Sequence, residues 1–199
     1  MKEILFKPFE RYSEKTLLIF GVLVTCFGLF ISSIFDVRFD GAIDVHFKGD
    51  VSMKQALLDV FFSIMSLVLF LFIAGKMVNR KTRMVDIVST VIVAKSIIYT
   101  LSFLNINGAV NAVMNDFAFN QMPKVNATVE NIHISSLGYV LIVISLLMIM
   151  LMVVWTISLL YNGYKTASNA KESKSVVLFI VALILSEVVS VLLIRNFNI

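Results

Sequence analysis

Lys95 and Glu187, two side chains able to hold or pass a charge, sit where charge is costly, each interrupting an apolar run long enough to cross a bilayer. Counted from Arg83 and from Lys174, both fall roughly 18 to 20 Å along a helix, near the middle of a hydrocarbon core about 30 Å thick. An ionised group at that depth costs at least ~2.5 kcal/mol on insertion scales and needs a partner or a water-filled cavity. Lys95 is therefore expected to pair with Glu187 and lock the third apolar run against the fifth. The alternative chemistry is a proton or ion relay through the same two groups. At helical spacing Lys95 shares a face with Tyr99 and Ser102, and Glu187 lies near Ser190, so these hydroxyls are the expected supporting residues.

Other chemistry-bearing residues are sparse. His46 and His133 lie in alternating apolar segments between the long runs, with Asp44 and Glu130 as the carboxylates on offer. That set lacks the spacing of a metal motif, and no metal site is expected. Cys26 is the only cysteine, which excludes an internal disulfide and a multi-thiolate site. The chain contains no H-E-x-x-H, no G-x-S-x-G, no phosphate-binding glycine loop and no G-x-G-x-x-G. No catalytic residue and no cofactor are expected, and the chain is read as non-enzymatic. Asp86, just after Arg80, Lys81 and Arg83, suits the positive end of a helix dipole, and Asp59 is given a structural role too.

The elements that carry these residues follow from composition and run length. With 59% hydrophobic and 15% charged residues, and a mean hydropathy of +0.93, the chain departs far from a soluble average. Five runs are long enough to span: 16–35, 56–78, 84–104, 137–160 and 175–194. Lipid offers the backbone no hydrogen-bond partners, and the runs lack the alternation of a membrane barrel. The expected fold is therefore an all-α membrane protein: a 1–15 amino-terminal segment, then a five-helix transmembrane bundle over 16–199. The first run continues past Cys26 without a small-residue cleavage site and is read as a retained span.

Eleven of the 17 Lys and Arg residues flank one side of these spans and five the other, with Lys95 between. By the positive-inside rule the amino terminus is cytoplasmic and the carboxyl terminus outside, whether the membrane is the inner (plasma) membrane of a bacterium or an organelle membrane of a eukaryote. The outward loops are then 36–55 and 105–136. The first alternates around Asp40-Gly41 and predicts a hairpin; Val125 to Ile134 predicts a strand that could complete a small β cap, and 108–119 predicts a short interfacial helix. Small residues Gly21, Thr25, Gly28 and Ser32 share a face of the first span, as do Ala182, Ser186 and Ser190 on the fifth, and such faces let helices approach closely. Trp155, Tyr161 and Tyr164 fall toward the cytoplasmic end of the fourth span, where the tyrosines suit an interfacial belt.

Lys7-Pro8-Phe9 before the first span, Arg83-Met84-Val85-Asp86-Ile87 after a tight basic turn, Tyr161-Asn162-Gly163-Tyr164-Lys165 and Asn169-Ala170-Lys171 form a diffuse pattern over nearly the whole chain. In this the chain resembles the Yip-domain family, in particular bacterial members with an enlarged outward region. The resemblance implies a non-enzymatic multipass protein with its amino terminus inside; eukaryotic relatives bind small membrane-associated GTPases. Two functional readings stand: a membrane scaffold or adaptor that meets a protein partner through loop 161–174, and a transporter or channel component using the Lys95 and Glu187 region. In the second, homo-oligomerisation would supply a path that five spans lack. No nucleic-acid partner is expected, because no basic patch with interleaved aromatics stands clear of the bilayer.

Overall fold

Side-chain caps open the first two long helices. The computed structural model describes residues 5–47, 49–121 and 136–197. After a short α1 (Pro8–Arg11), the Ser13 hydroxyl accepts from the Thr16 N–H at 3.3 Å and opens α2 (Glu14–Ile34). Two two-residue strands follow, β1 (Val37–Arg38) and β2 (His46–Phe47), paired antiparallel with Val37 opposite Phe47 and Arg38 opposite His46. Ser52 and Gln55 then close a capping box at the start of α3 (Met53–Val78). A tight turn leads to α4 (Met84–Tyr99); in it the Thr82 hydroxyl bonds to the carbonyls of Gly75 and Asn79, at 3.0 and 2.8 Å.

The third run is α-helical only to Tyr99, then tightens to a 3-10 stretch, Thr100–Gly108, which breaks at residues 105–107. Asn105 organises the break: its amide donates to the Phe35 carbonyl at 2.6 Å, and its carbonyl accepts from the N–H groups of Val110 and Asn111 at 3.1 and 3.0 Å. It thereby caps α5 (Ala109–Gln121), which falls over the expected short helix. The expected strand over 124–134, with Glu130 and His133, lies outside the described residues. The chain ends in α6 (Ser136–Ser168) and α7 (Ser173–Phe197).

Five helices, namely α2, α3, α4 with its extension, α6 and α7, are long and apolar enough to cross a membrane, as in a multipass membrane protein. α4 is the axis. Two-thirds of its most apolar window is buried (67%) against 11% for α6, so α4 is the interior helix and α6 turns most of its surface outward. α2, α3 and α6 pack on α4, whereas α7 packs mainly along α3. Gly21 and Gly28 face α4: a Cβ at Gly21 would enter Ile92, and one at Gly28 would lie 2.6 Å from the Tyr99 ring. On α7, Ala182, Ser186 and Ser190 are buried.

Helix α6 runs further than its hydropathy predicts. Residues 161–168, expected in a free loop, are its last two turns, because Tyr164 is fully buried with its ring 5.5 Å from Phe179, and Gly163 fits against Thr90. Tyr164 is therefore a core residue and not part of an interfacial belt, and the free turn shrinks to residues 169–172. The amino-terminal segment also lies against α6: the Trp155 indole donates to the Leu5 carbonyl at 3.1 Å and the Asn162 amide to the Phe6 carbonyl at 3.0 Å.

The close approach of α2 and α4 gives a direct test. Gly28→Ala should lower stability by about 1–3 kcal/mol through overpacking on Tyr99, while Gly49→Ala, with open space around it, should stay within about 0.5 kcal/mol. Thermal unfolding of the two variants in detergent measures the difference; equal melting would contradict the packing described.

Candidate functional site

Between β1 and β2 the chain does not close a two-residue turn at Asp40-Gly41. Residues 39–45 instead dip into the bundle, and Ala42 is fully buried in one cluster with Leu67, Leu71, Ala94, Phe179 and Ala182. The depth follows from the contacts. Ser63 and Glu187, which flank the loop tip, each lie roughly 15 Å along their helices from the hairpin end. Non-helical backbone at such depth is tolerated only where protein or enclosed water satisfies its polar groups.

Lys95 and Glu187 supply those partners. The Lys95 ammonium donates to the carbonyls of Gly41 and Ala42, both at 3.1 Å, and to the Ser63 hydroxyl at 2.8 Å, which occupies its three protons. The Glu187 carboxylate accepts from the Ile43 N–H at 2.9 Å. The expected direct ion pair is thus replaced by a bridge: the cation holds carbonyls, the anion holds an amide, and residues 41–43 run between them. α4 and α7 are not locked together directly, since α3 and this loop intervene. Gly41 is required by the approach, because a Cβ there would collide with the Glu187 carboxylate and lie 2.5 Å from Asp44 Cβ.

The expected supporting hydroxyls act elsewhere. Tyr99 is buried, set edge-on to Phe39 at 5.1 Å and against Gly28, and Ser102 is buried one turn on; neither bonds to Lys95. Ser190 donates to the Glu187 backbone carbonyl at 2.9 Å, within its own helix. Ser63, on α3, is the hydroxyl that reaches Lys95; its place in an unbroken apolar run gave no spacing relation to Lys95.

Two further charge groups fix the mouth of the loop. Arg38 meets the fully buried Asp59 in a bidentate pair, with both hydrogen bonds at 2.8 Å, and so ties β1 to α3. Asp59 was legible as structural, but its partner was not. At the exposed lip, His46 Nδ1 lies 2.7 Å from Asp40 and Nε2 lies 3.8 Å from Asp44. Partial burial pulls the His46 pKa down, but the hydrogen bond to Asp40 and the charges of Asp40 and Asp44 outweigh it, against Arg38, and raise the value above the usual one. Asp40, Asp44 and His46 bring ligand-type atoms within 4.8 Å of one another. With each ring nitrogen facing one carboxylate, the arrangement works as an ion cluster closing the lip; Glu130 and His133, named with it in the sequence, lie outside the described residues.

At the opposite end Asp86 stands in the first turn of α4, as expected, 4.0 Å from Arg83, whose guanidinium also grips Glu14 at 2.6 Å. Asp86, Glu14, Thr90, Gly163 and Thr166 line a cleft of about 160 Å³ together with Phe9 and Leu17.

Removing either membrane-buried charge strands loop backbone. Lys95→Met and Glu187→Leu should each cost about 3 kcal/mol and expose the Ile43 amide to hydrogen exchange. Both act on one loop, so the double variant should cost less than the sum; additivity within about 0.5 kcal/mol would refute the shared bridge. The raised His46 pKa means that its contribution is complete below the unfolded value near 6.5 and is lost as pH rises through the folded value. Melting of the wild type should therefore fall between about pH 6 and pH 8 more than that of His46→Gln, and parallel profiles would count against the cluster.

Compared with known proteins, the chain matches no family model, no curated protein and no solved structure.

Proposed function

We propose that this multipass protein is a non-enzymatic membrane scaffold or adaptor of Yip type, with its amino terminus in the cytoplasm of a bacterial cell. One observation carries the reading: segments far apart in sequence, and shared with the Yip-like pattern, meet around one cleft at the basic end of the bundle. Phe9 comes from the first, Asp86 from the second and Gly163 from the third. The contact surface is smaller than loop 161–174, because Tyr164 is packed inside; it centres on residues 169–174. There a second cleft of about 410 Å³ is lined by Lys171, Glu172, Lys174 and Met77. The intramembrane charges fit a scaffold, since Lys95 and Glu187 are both engaged with loop backbone.

Transport is the second reading, favoured by a specific feature: a non-helical segment held by charges inside a helical bundle is how carriers build midplane sites. In liposomes holding only this protein, the scaffold reading expects no proton-driven flux in wild type or Glu187→Gln. Flux in the wild type that disappears in a folded Glu187→Gln would replace it with transport. A photo-crosslinker at Lys171 should also trap one discrete partner in cells, and one at Lys54, on the hairpin face, should not.

A further inference from the structure

Three side chains of metal-ligating type meet at the lip of the loop between β1 and β2. Asp40, Asp44 and His46 bring one ligand atom each within 4.8 Å of one another. A single point therefore lies within about 2.8 Å of all three, and bonds to zinc of about 2.0–2.2 Å require a closing movement of roughly 0.7 Å. The side chains of Asp44 and His46 are half exposed and free to make it. The backbone that carries them is held in place: His46 lies opposite Arg38 in the strand pair, and Lys95 and Glu187 grip the loop tip. Asp44 Oδ1 accepts from the Val45 N–H at 2.9 Å, which leaves Oδ2 to face His46. In the sequence Asp40 marks only a turn, and without it Asp44 and His46 are too few to form a site.

The contacts these groups make with one another leave ligand capacity to spare. His46 Nδ1 lies 2.7 Å from Asp40, but Nε2 and Asp44 stand 3.8 Å apart, too far for a hydrogen bond. Two ligands of one tetrahedral zinc are separated by roughly 3.3 Å, so the gap is of the size an ion bridges. Charge points the same way. Arg38 is committed to Asp59 through two hydrogen bonds, and among the described residues His46 alone forms an ion pair with Asp40 or Asp44. Two carboxylates beside a neutral imidazole leave two negative charges to be balanced, at a place that solvent reaches. An imidazole with carboxylates suits zinc and its first-row neighbours, whereas magnesium and calcium prefer oxygen ligands alone. We propose that Asp40, Asp44 and His46 form a binding site for one divalent cation of the zinc class, with water completing the coordination. The cation takes the place of the proton that otherwise makes the lip an ion cluster.

The full-length protein is purified in detergent, stripped with EDTA and titrated with Zn²⁺ alone, in competition with a chelating dye. One equivalent of Zn²⁺ should bind, at a concentration at least about tenfold below that needed for Ca²⁺ or Mg²⁺, and the unfolding temperature should rise with it, as for any ligand of the folded state. Asp40→Asn, Asp44→Asn and His46→Gln should each weaken binding at least about tenfold. Asp50→Asn, which removes an exposed carboxylate just beyond β2, should not. His46→Cys supplies a zinc ligand without the hydrogen bonds of the ring. It should bind again, which a merely structural role of His46 would not produce. Melting without metal checks that each variant is folded. The proposal is overturned if Zn²⁺ binds no more tightly than Ca²⁺, if the three ligand variants bind like the wild type, if His46→Cys binds no better than His46→Gln, or if Asp50→Asn loses as much as they do. The last result would mark a diffuse attraction of cations to an acidic surface.

Discussion

A peptide backbone buried in a bilayer must find hydrogen-bond partners inside the protein, and here the segment with that need is Gly41-Ala42-Ile43. Everything around it is arranged to meet the need. Lys95 comes from the central helix, Ser63 from α3 and Glu187 from α7, so three of the five long helices are fixed by what they do for one loop. Small side chains let the loop reach its depth, and the Ala42 methyl is absorbed into the apolar cluster between α3, α4 and α7. Placing opposite charges on opposite sides of a peptide segment uses both ends of the peptide dipole. A direct pair of Lys95 and Glu187 would have left the loop unsatisfied.

The loop mouth is held by a different kind of contact. Arg38 and Asp59 form a planar two-bond pair that survives burial because its geometry is good, and breaking such a pair from one side is costly, about 3–5 kcal/mol. Around it, the Ser32 hydroxyl reaches the Val37 carbonyl at 2.5 Å and Asp36 accepts from the Val51 N–H at 3.0 Å. The ends of α2 and α3 are thus tied to the hairpin from both sides. The hairpin itself is only two residues per strand, too short to be stable alone.

Run length and hydropathy made the five helices legible, because they record the thickness of the solvent more than any tertiary contact. The small faces of α2 and α7 were legible for a similar reason: Gly21, Gly28, Ala182 and Ser186 repeat at helical spacing. The hairpin was visible in its alternation, but its tip was misread, since Asp40-Gly41 looks the same whether it turns in solvent or enters a bundle. What distinguishes the two is the pair of intramembrane charges, and sequence shows that each needs a partner without showing that the partner is backbone. The end of the fourth span was likewise hidden, because Tyr164 and Ser168 carry polar atoms and yet pack inside. Arg38 and Asp59 are separated by a loop and part of a helix, with no periodic relation to connect them.

The order of residues in the loop latch has a consequence for synthesis. All three acceptors of Lys95 precede it in the chain: Gly41, Ala42 and Ser63. Since chains emerge amino terminus first, the costly cation enters the membrane with its partners already made, and all three of its hydrogen-bond acceptors are present before α6 exists. Glu187 arrives last, to an Ile43 amide already positioned for it. The ribosome thus delivers the socket before the plug, and no stage of insertion leaves the lysine waiting in lipid for a carboxylate that has yet to be translated.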